Sequence, residues 1–323
     1  MKIFSTISFL VIAIAGSAQY EVGHLSTSFY DASRDRDVTC EIYYPADVAG
    51  DNVDVSTGSF PVIVFGHGFF MPWDDYSNIW NFLVPQGYIM TFATTGGEAF
   101  PDHEAFGLDL AFLVESMVAE GADAVSDFYQ RLNGREALMG HSMGGGCSWL
   151  AAAEIDGLDC VVGLAPAETS PSAIGAASSV NVPALVISGS SDEVTPPTDH
   201  HLPMYTSTAT TNCKAYVSII EGGHCGYADD GTICDLGEFL FAGMSREEQQ
   251  EITHNLLQYW LGYYLKNQQD ANDAFEAYCN DNTSLDWQTN CVISDVEWLT
   301  ASELEIFPNP ADNFARITYP DWA

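Results

Sequence analysis

The chain predicts an α/β fold with a mostly parallel central sheet and helices on both faces. Three observations carry this. Apolar runs of strand length alternate with helix-spaced segments from Phe60 onward. Those runs are apolar almost throughout rather than at every second residue, which is the pattern of strands covered on both sides. The 323 residues are enough to build one large core.

Met1 to Ala18 reads as a secretory leader, with Lys2 at its start, an apolar run from Ile3 to Ala15 and the small residues Gly16-Ser17-Ala18 at its end. Tyr20 to Tyr30 and Val38 to Tyr44 are β-rich and partly alternating, and predict two early strands. Phe60 to Phe65 predicts a buried strand ended by Gly66-His67-Gly68, and Tyr88 to Ala93 another, with helical spacing between them at Tyr76 to Val84. His103 to Gly121 predicts a long helix with Phe106, Leu110, Leu113, Val114 and Met117 on its apolar side. Ala137 to Gly140 is a short strand, Gly145 to Glu154 a helix, and Cys160 to Leu164, Ala184 to Ser188 and Ala215 to Ile220 are three further strands. A closing helix runs from about Ser245 to Lys266, and from Asn267 the sequence is expected to be polar and turn-rich. We read residues 19–300 as one catalytic domain and 301–323 as the start of something new.

Nine basic residues against 45 acidic ones give a formal charge of −36. Such a surface repels nucleic acid and anionic lipid, so neither is an expected partner, and no later segment reads as membrane-spanning. Eight cysteines in an exported chain favour disulfides. Cys225 with Cys234 and Cys279 with Cys291 are the local candidates. Cys147 with Cys160, and Cys40 with Cys213 by default, would complete the set.

The strand at Ala137 runs into Gly140-His141-Ser142-Met143-Gly144 and then into helix-compatible sequence. This is the form of a nucleophile elbow, which projects a serine hydroxyl from a strained turn whose neighbours must be nearly free of side chains. A serine needs a base, and the base an orienting acid. Asp192 follows the strand Ala184 to Ser188, with Glu193 as its neighbouring competitor, and a turn aspartate is the plain alternative. Of eight histidines, His224 alone follows a strand and the flexible Glu221-Gly222-Gly223 downstream of that acid. His67 and His141 are expected to order backbone instead. The oxyanion donors fall on the backbone N–H of Met143, after the serine, and of Phe69, in the loop after the strand Phe60 to Phe65. Phe69, Phe70 and Met143 are the candidate substrate contacts, and no metal or organic cofactor is called for.

With these residues the chain resembles the α/β-hydrolase superfamily, in the branch of dienelactone hydrolases, chlorophyllases and bacterial cutinases that includes poly(ethylene terephthalate) hydrolases. The resemblance spans roughly Val62 to Lys266 and lies in Gly140 to Gly146, Ser191 to Pro196 and Gly222-Gly223-His224. It implies the α/β-hydrolase fold, a Ser142–Asp192–His224 triad, oxyanion donors at Phe69 and Met143, and hydrolysis of neutral hydrophobic esters through an acyl-enzyme. Polyester-cleaving cutinases usually carry tyrosine at the position of Phe69 and tryptophan at that of Ala167, so polyesters are expected to be slower substrates. An amidase or peptidase, and a non-catalytic binding module on the same fold, are the alternatives. Glu303 to Ala311, containing Phe307-Pro308-Asn309-Pro310, resembles the opening of type IX secretion sorting domains, cut short at Ala323, which would make that machinery a partner; a Pro-containing tail is the alternative.

Overall fold

The computed structural model describes residues 19–208, 213–231, 233–238, 243–291, 306–308 and 315–317. The leader expected at 1–18 and most of the expected sorting segment at 301–323 lie outside these. The chain divides into two compact units, Met1–Asn290 and Cys291–Ala323.

The first unit holds a ten-stranded sheet. Strands β1 (Glu21–Asp31) and β2 (Arg36–Ala46) form an antiparallel hairpin, and β3 (Gly50–Asp51) adds to β1. β4 (Phe60–Gly66), β5 (Ile89–Ala93), β6 (Leu132–His141), β7 (Cys160–Leu164), β8 (Ala184–Gly189) and β9 (Lys214–Ile219) are parallel neighbours. β10 (Leu285–Thr289) closes one edge antiparallel to β9, and the order across the sheet is β10-β9-β8-β7-β6-β4-β5-β2-β1-β3. β4, β5, β7 and β8 are buried along their whole length, as their largely apolar sequences require.

Helices α1 (Ser77–Leu83), α2 (His103–Ala122), α3 (Ser142–Ala152), α4 (Ala173–Ala176), α5 (His201–Ser207), α6 (Asp235–Glu238), α7 (Arg246–Lys266) and α8 (Gln269–Asp281) complete this unit. They cover both faces, with α2 packed on α3, and α7 on α1 and α8. This is the α/β-hydrolase fold. Asp102 caps α2 by accepting from Ala105 N at 3.1 Å, and Ser245 caps α7 by accepting from Glu248 N at 3.2 Å. Phe106, Leu110, Leu113, Val114 and Met117 are all buried, each contributing about 1.5–3 kcal/mol by leaving water. Beside them Asp109 is also fully buried, clamped by Arg34 Nη1 at 2.7 Å from the β1–β2 turn and by Arg36 Nη2 at 2.7 Å from the start of β2. Among the described residues no helix is long and apolar enough to cross a membrane.

Two expectations are corrected. The segment after Asn267 is not simply turn-rich: Ala271, Phe275 and Cys279 recur every fourth residue and bury one side of α8, and β10 follows. Of the four cysteine pairs, Cys225–Cys234 forms, but Cys40, Cys147, Cys160 and Cys279 are free thiols. Cys213 and Cys291 also lie in disulfides, so neither has the partner first expected. The free thiols are core residues, and burial pushes all four up, those of Cys40 and Cys279 to about 12.

In the second unit, β11 (Ile306–Pro308) and β12 (Ala315–Ile317) pair antiparallel, Ile306 opposite Ile317.

Candidate active site

β6 ends at His141 and α3 begins at Ser142, so the serine sits at the joint between them. Its φ of +52° lies in the left-handed region, a strained backbone for a residue with a side chain. The glycines around it are required for room. A Cβ on Gly140 would overlap the Gly144 carbonyl, and one on Gly144 would overlap the carbonyls of Gly66 and His67.

The loops after β8 and β9 bring Asp192 and His224 together, 32 residues apart in sequence. His224 Nδ1 lies 2.7 Å from Asp192 Oδ2, and both side chains are buried. Because a carboxylate can only accept here, the histidine proton sits on Nδ1 and Nε2 is left as an acceptor. Asp192 Oδ1 accepts from the backbone N–H of Val194 at 2.9 Å and of Thr195 at 2.7 Å. Burial pushes its carboxyl up, but the hydrogen bond and charge from His224 and the Thr195 N–H together hold it below its ordinary value.

The backbone carrying His224 is held from behind. Gln249, buried in α7, accepts from Gly223 N at 2.9 Å and donates to Gly223 O at 2.8 Å. The Glu238 carboxylate accepts from His224 N and from Cys225 N, the latter at 2.6 Å. The disulfide Cys225–Cys234 closes the loop beside it.

The remaining histidines take other places. His67 reaches the carbonyls of Gly68 at 2.9 Å and Thr95 at 2.8 Å, ordering its loop. His141 bridges Tyr76 OH at 2.9 Å and the His224 carbonyl at 3.0 Å. His201, which the sequence had offered no reason to select, lies against Thr195 and Ser188 within reach of Asp192. His24 sits between Glu41 and Asp51, His254 stacks on Phe82, and His103 and His200 accept from the N–H groups of Ser170 and Glu168.

Ser142 and His224 open on one cavity of about 230 Å³, lined also by Phe69, Phe70, Met71, Val194, Ile233 and Cys234. Phe69 and Phe70 are half exposed and pack edge to face with centroids 4.3 Å apart. The Met143 side chain is buried and is not part of this lining; its backbone N–H lies in the first turn of α3, where helical amides lack an internal partner. Met71, Val194 and Ile233 were not expected there. They come from separate loops, and nothing in their local sequence marks them. Ala167 lies outside the lining, and among the described residues no group of three or more His, Cys, Asp or Glu is arranged to hold a metal ion.

The profile of the PETase family, described as PET hydrolase-like, matches residues 20–253. Among curated proteins, Cutinase 2 of Thermobifida cellulosilytica is 32% identical over 124 residues, covering 38% of this chain and 44% of its own length. A cutinase of Thermobifida fusca is 32% identical over 124 residues, covering 38% of this chain and 36% of its own. A bis(hydroxyethyl) terephthalate hydrolase of Streptomyces coelicolor is 25% identical over 184 residues, covering 57% of this chain and 54% of its own. The chain therefore matches about half or less of the length of each of these relatives. With the family profile covering residues 20–253, from the β1–β2 hairpin through the elbow to the His224 loop, the chain belongs to the PET hydrolase-like family of α/β hydrolases.

Proposed function

We propose that this protein is a secreted serine carboxylic-ester hydrolase that works through an acyl-enzyme on neutral, hydrophobic esters. The observation that carries the reading is the 2.7 Å contact between Asp192 and His224 Nδ1, which leaves Nε2 unprotonated in the cavity that Ser142 shares. In this mechanism His224 Nε2 takes the Ser142 proton as Oγ bonds to the acyl carbon. The N–H groups of Met143 and Phe69 receive the oxyanion, and the N-terminus of α3 adds its partial positive charge. His224 then gives the proton to the departing alkoxide. Water, deprotonated by the same nitrogen, attacks the acyl carbon and frees Ser142.

Substrate choice follows from the walls. Phe69, Phe70, Met71, Val194 and Ile233 offer apolar surface and no charge to an acyl or alcohol group. The cutinase and terephthalate-ester relatives support the same class of bond, and polyesters are the slower members of the substrate range. Export through Met1 to Ala18, and sorting through the segment from 301, belong to the same proposal.

Ser142→Ala tests it. Ester turnover should fall by several orders of magnitude, the scale of triad knock-outs, with the circular dichroism spectrum unchanged. A fluorophosphonate should label Ser142 in the parent protein and nothing in the variant. An active, folded alanine variant overturns the assignment, failure of the parent to label favours a binding module, and faster turnover of a matched amide favours an amidase.

A further inference from the structure

We infer that Thr195 and His201 are a positioning pair that holds the Asp192 carboxylate against His224, extending the dyad inward to Ser188; this rests on the triad reading above. A continuous chain of contacts supports it. Ser188 Oγ lies 2.7 Å from His201 Nδ1, and His201 Nε2 lies 3.0 Å from Thr195 Oγ1. Thr195 Oγ1 in turn lies 2.9 Å from Asp192 Oδ2 and 2.9 Å from His224 Nδ1. All five residues are buried, so no water competes for these hydrogen bonds.

The proton positions follow from what each atom can do. Burial drives His201 down to about 3, so its ring is neutral and one nitrogen carries the proton. The Ala165 carbonyl, which can only accept, lies 3.3 Å from Thr195 Oγ1, on the side of His201 where Nε2 meets Thr195. With the His201 proton on Nε2, the ring donates toward that side. Nδ1 then accepts the Ser188 hydroxyl proton, and the Thr195 hydroxyl is free to donate to Asp192 Oδ2. Asp192 is now fixed by four donors: the N–H groups of Val194 and Thr195 on Oδ1, and the Thr195 hydroxyl and His224 Nδ1–H on Oδ2. The other tautomer turns the Thr195 proton toward His201 and leaves Oδ2 with His224 alone. Neither Thr195 nor His201 lines the cavity, so both act through Asp192 rather than on substrate.

The consequence is kinetic. A carboxylate that rotates away from His224 leaves the imidazole free to turn, and small misplacements of a reacting group cost up to about a hundredfold in rate.

The experiment compares Thr195→Val, Thr195→Ser, His201→Leu and His201→Gln on a short neutral nitrophenyl ester. Thr195→Val and His201→Leu should lower kcat by about tenfold to a hundredfold with KM unchanged. Thr195→Ser keeps the hydroxyl and His201→Gln keeps a side-chain N–H, so both should restore most of the rate. The double variant Thr195→Val/His201→Leu should be no worse than the poorer single, because the two act in one chain. Activity within twofold of the parent in Thr195→Val overturns the inference. So does a loss that Thr195→Ser fails to repair, or additive losses in the double variant. If Thr195→Val does not fold, the His201 pair decides alone. Ser142→Ala separates the two readings: an inactive Ser142→Ala beside a fully active Thr195→Val removes the positioning pair and leaves the triad standing.

Discussion

His141 Nε2 lies 3.0 Å from the carbonyl oxygen of His224, so the turn that carries Ser142 holds the backbone of His224 directly. A carbonyl only accepts, which puts the His141 proton on Nε2 and leaves Nδ1 to accept from Tyr76 OH at 2.9 Å. Tyr76 in turn accepts from Gly68 N at 2.8 Å, in the loop next to Phe69. One buried run of hydrogen bonds thus joins the candidate oxyanion loop, the elbow and the histidine loop. It works with neutral groups: burial, and next the neighbouring His224 charge, hold His141 well below its ordinary value, and burial pushes the Tyr76 phenol up.

Tyr76→Phe cuts that run at its centre, leaving Gly68 N and His141 Nδ1 buried without a partner. The expected cost is about 1–3 kcal/mol of stability, read by chemical denaturation. A tenfold or smaller fall in kcat should accompany it, since His224 keeps Asp192 while its backbone loosens. Unchanged stability would mean that the two orphaned groups find water.

The Cys225–Cys234 loop carries Ile233 and Cys234 into the wall of the cavity, next to His224. Replacing both cysteines by serine should lower stability by about 2–3 kcal/mol, the loop-entropy value for a loop this short. KM for hydrophobic esters should rise more than kcat falls, because the wall moves while the dyad is held by Thr195, Gln249 and Glu238. Matched Michaelis–Menten measurements on the parent and the double serine variant check the point.

Acid should unfold the protein in a predictable window. His201 titrates at about 3 when folded, against an ordinary value of 6.5, so on acidification the unfolded chain takes up that proton first. Stability is therefore lost as pH falls from 6.5 toward 3, by roughly 1.4 kcal/mol per pH unit for each such histidine. His141, also held low by burial, acts in the same direction. Asp192 has a folded value below its ordinary 3.8, so its contribution is present above that value and disappears as pH drops through the folded one. Melting temperature against pH should fall steeply below 6.5, and His201→Gln should flatten the slope by one proton.

The surface charge of −36 should discriminate among substrates before they reach the cavity. Neutral short- to medium-chain esters should be turned over faster than carboxylate-bearing analogues at low ionic strength. Added salt should narrow the difference by screening the long-range repulsion. A preference for the anionic esters at low salt would contradict this reading of the site.

The elements that the chain dictates locally are those visible in its sequence. An unbroken apolar run such as Ala184 to Ile187 suits a strand covered on both faces, and Gly140 to Gly146 leaves only room for a tight strand–turn–helix joint, so the sheet and the elbow were legible residue by residue. Asp192 and His224 were legible because each follows a strand, and parallel strands deliver their trailing loops to one edge of the sheet. What the chain does not encode locally is which side chains meet once those loops are folded. Thr195 and His201 read as an unremarkable turn and helix start until the segment after β8 folds back to set both beside Asp192. Asp109 reads as a polar interruption of an apolar helix until the β1–β2 hairpin brings Arg34 and Arg36 to it. Sequence spacing suggested a partner for every cysteine, yet four thiols pack in the core, because a disulfide is decided by the distance and direction between two Cβ atoms, which only the tertiary structure sets.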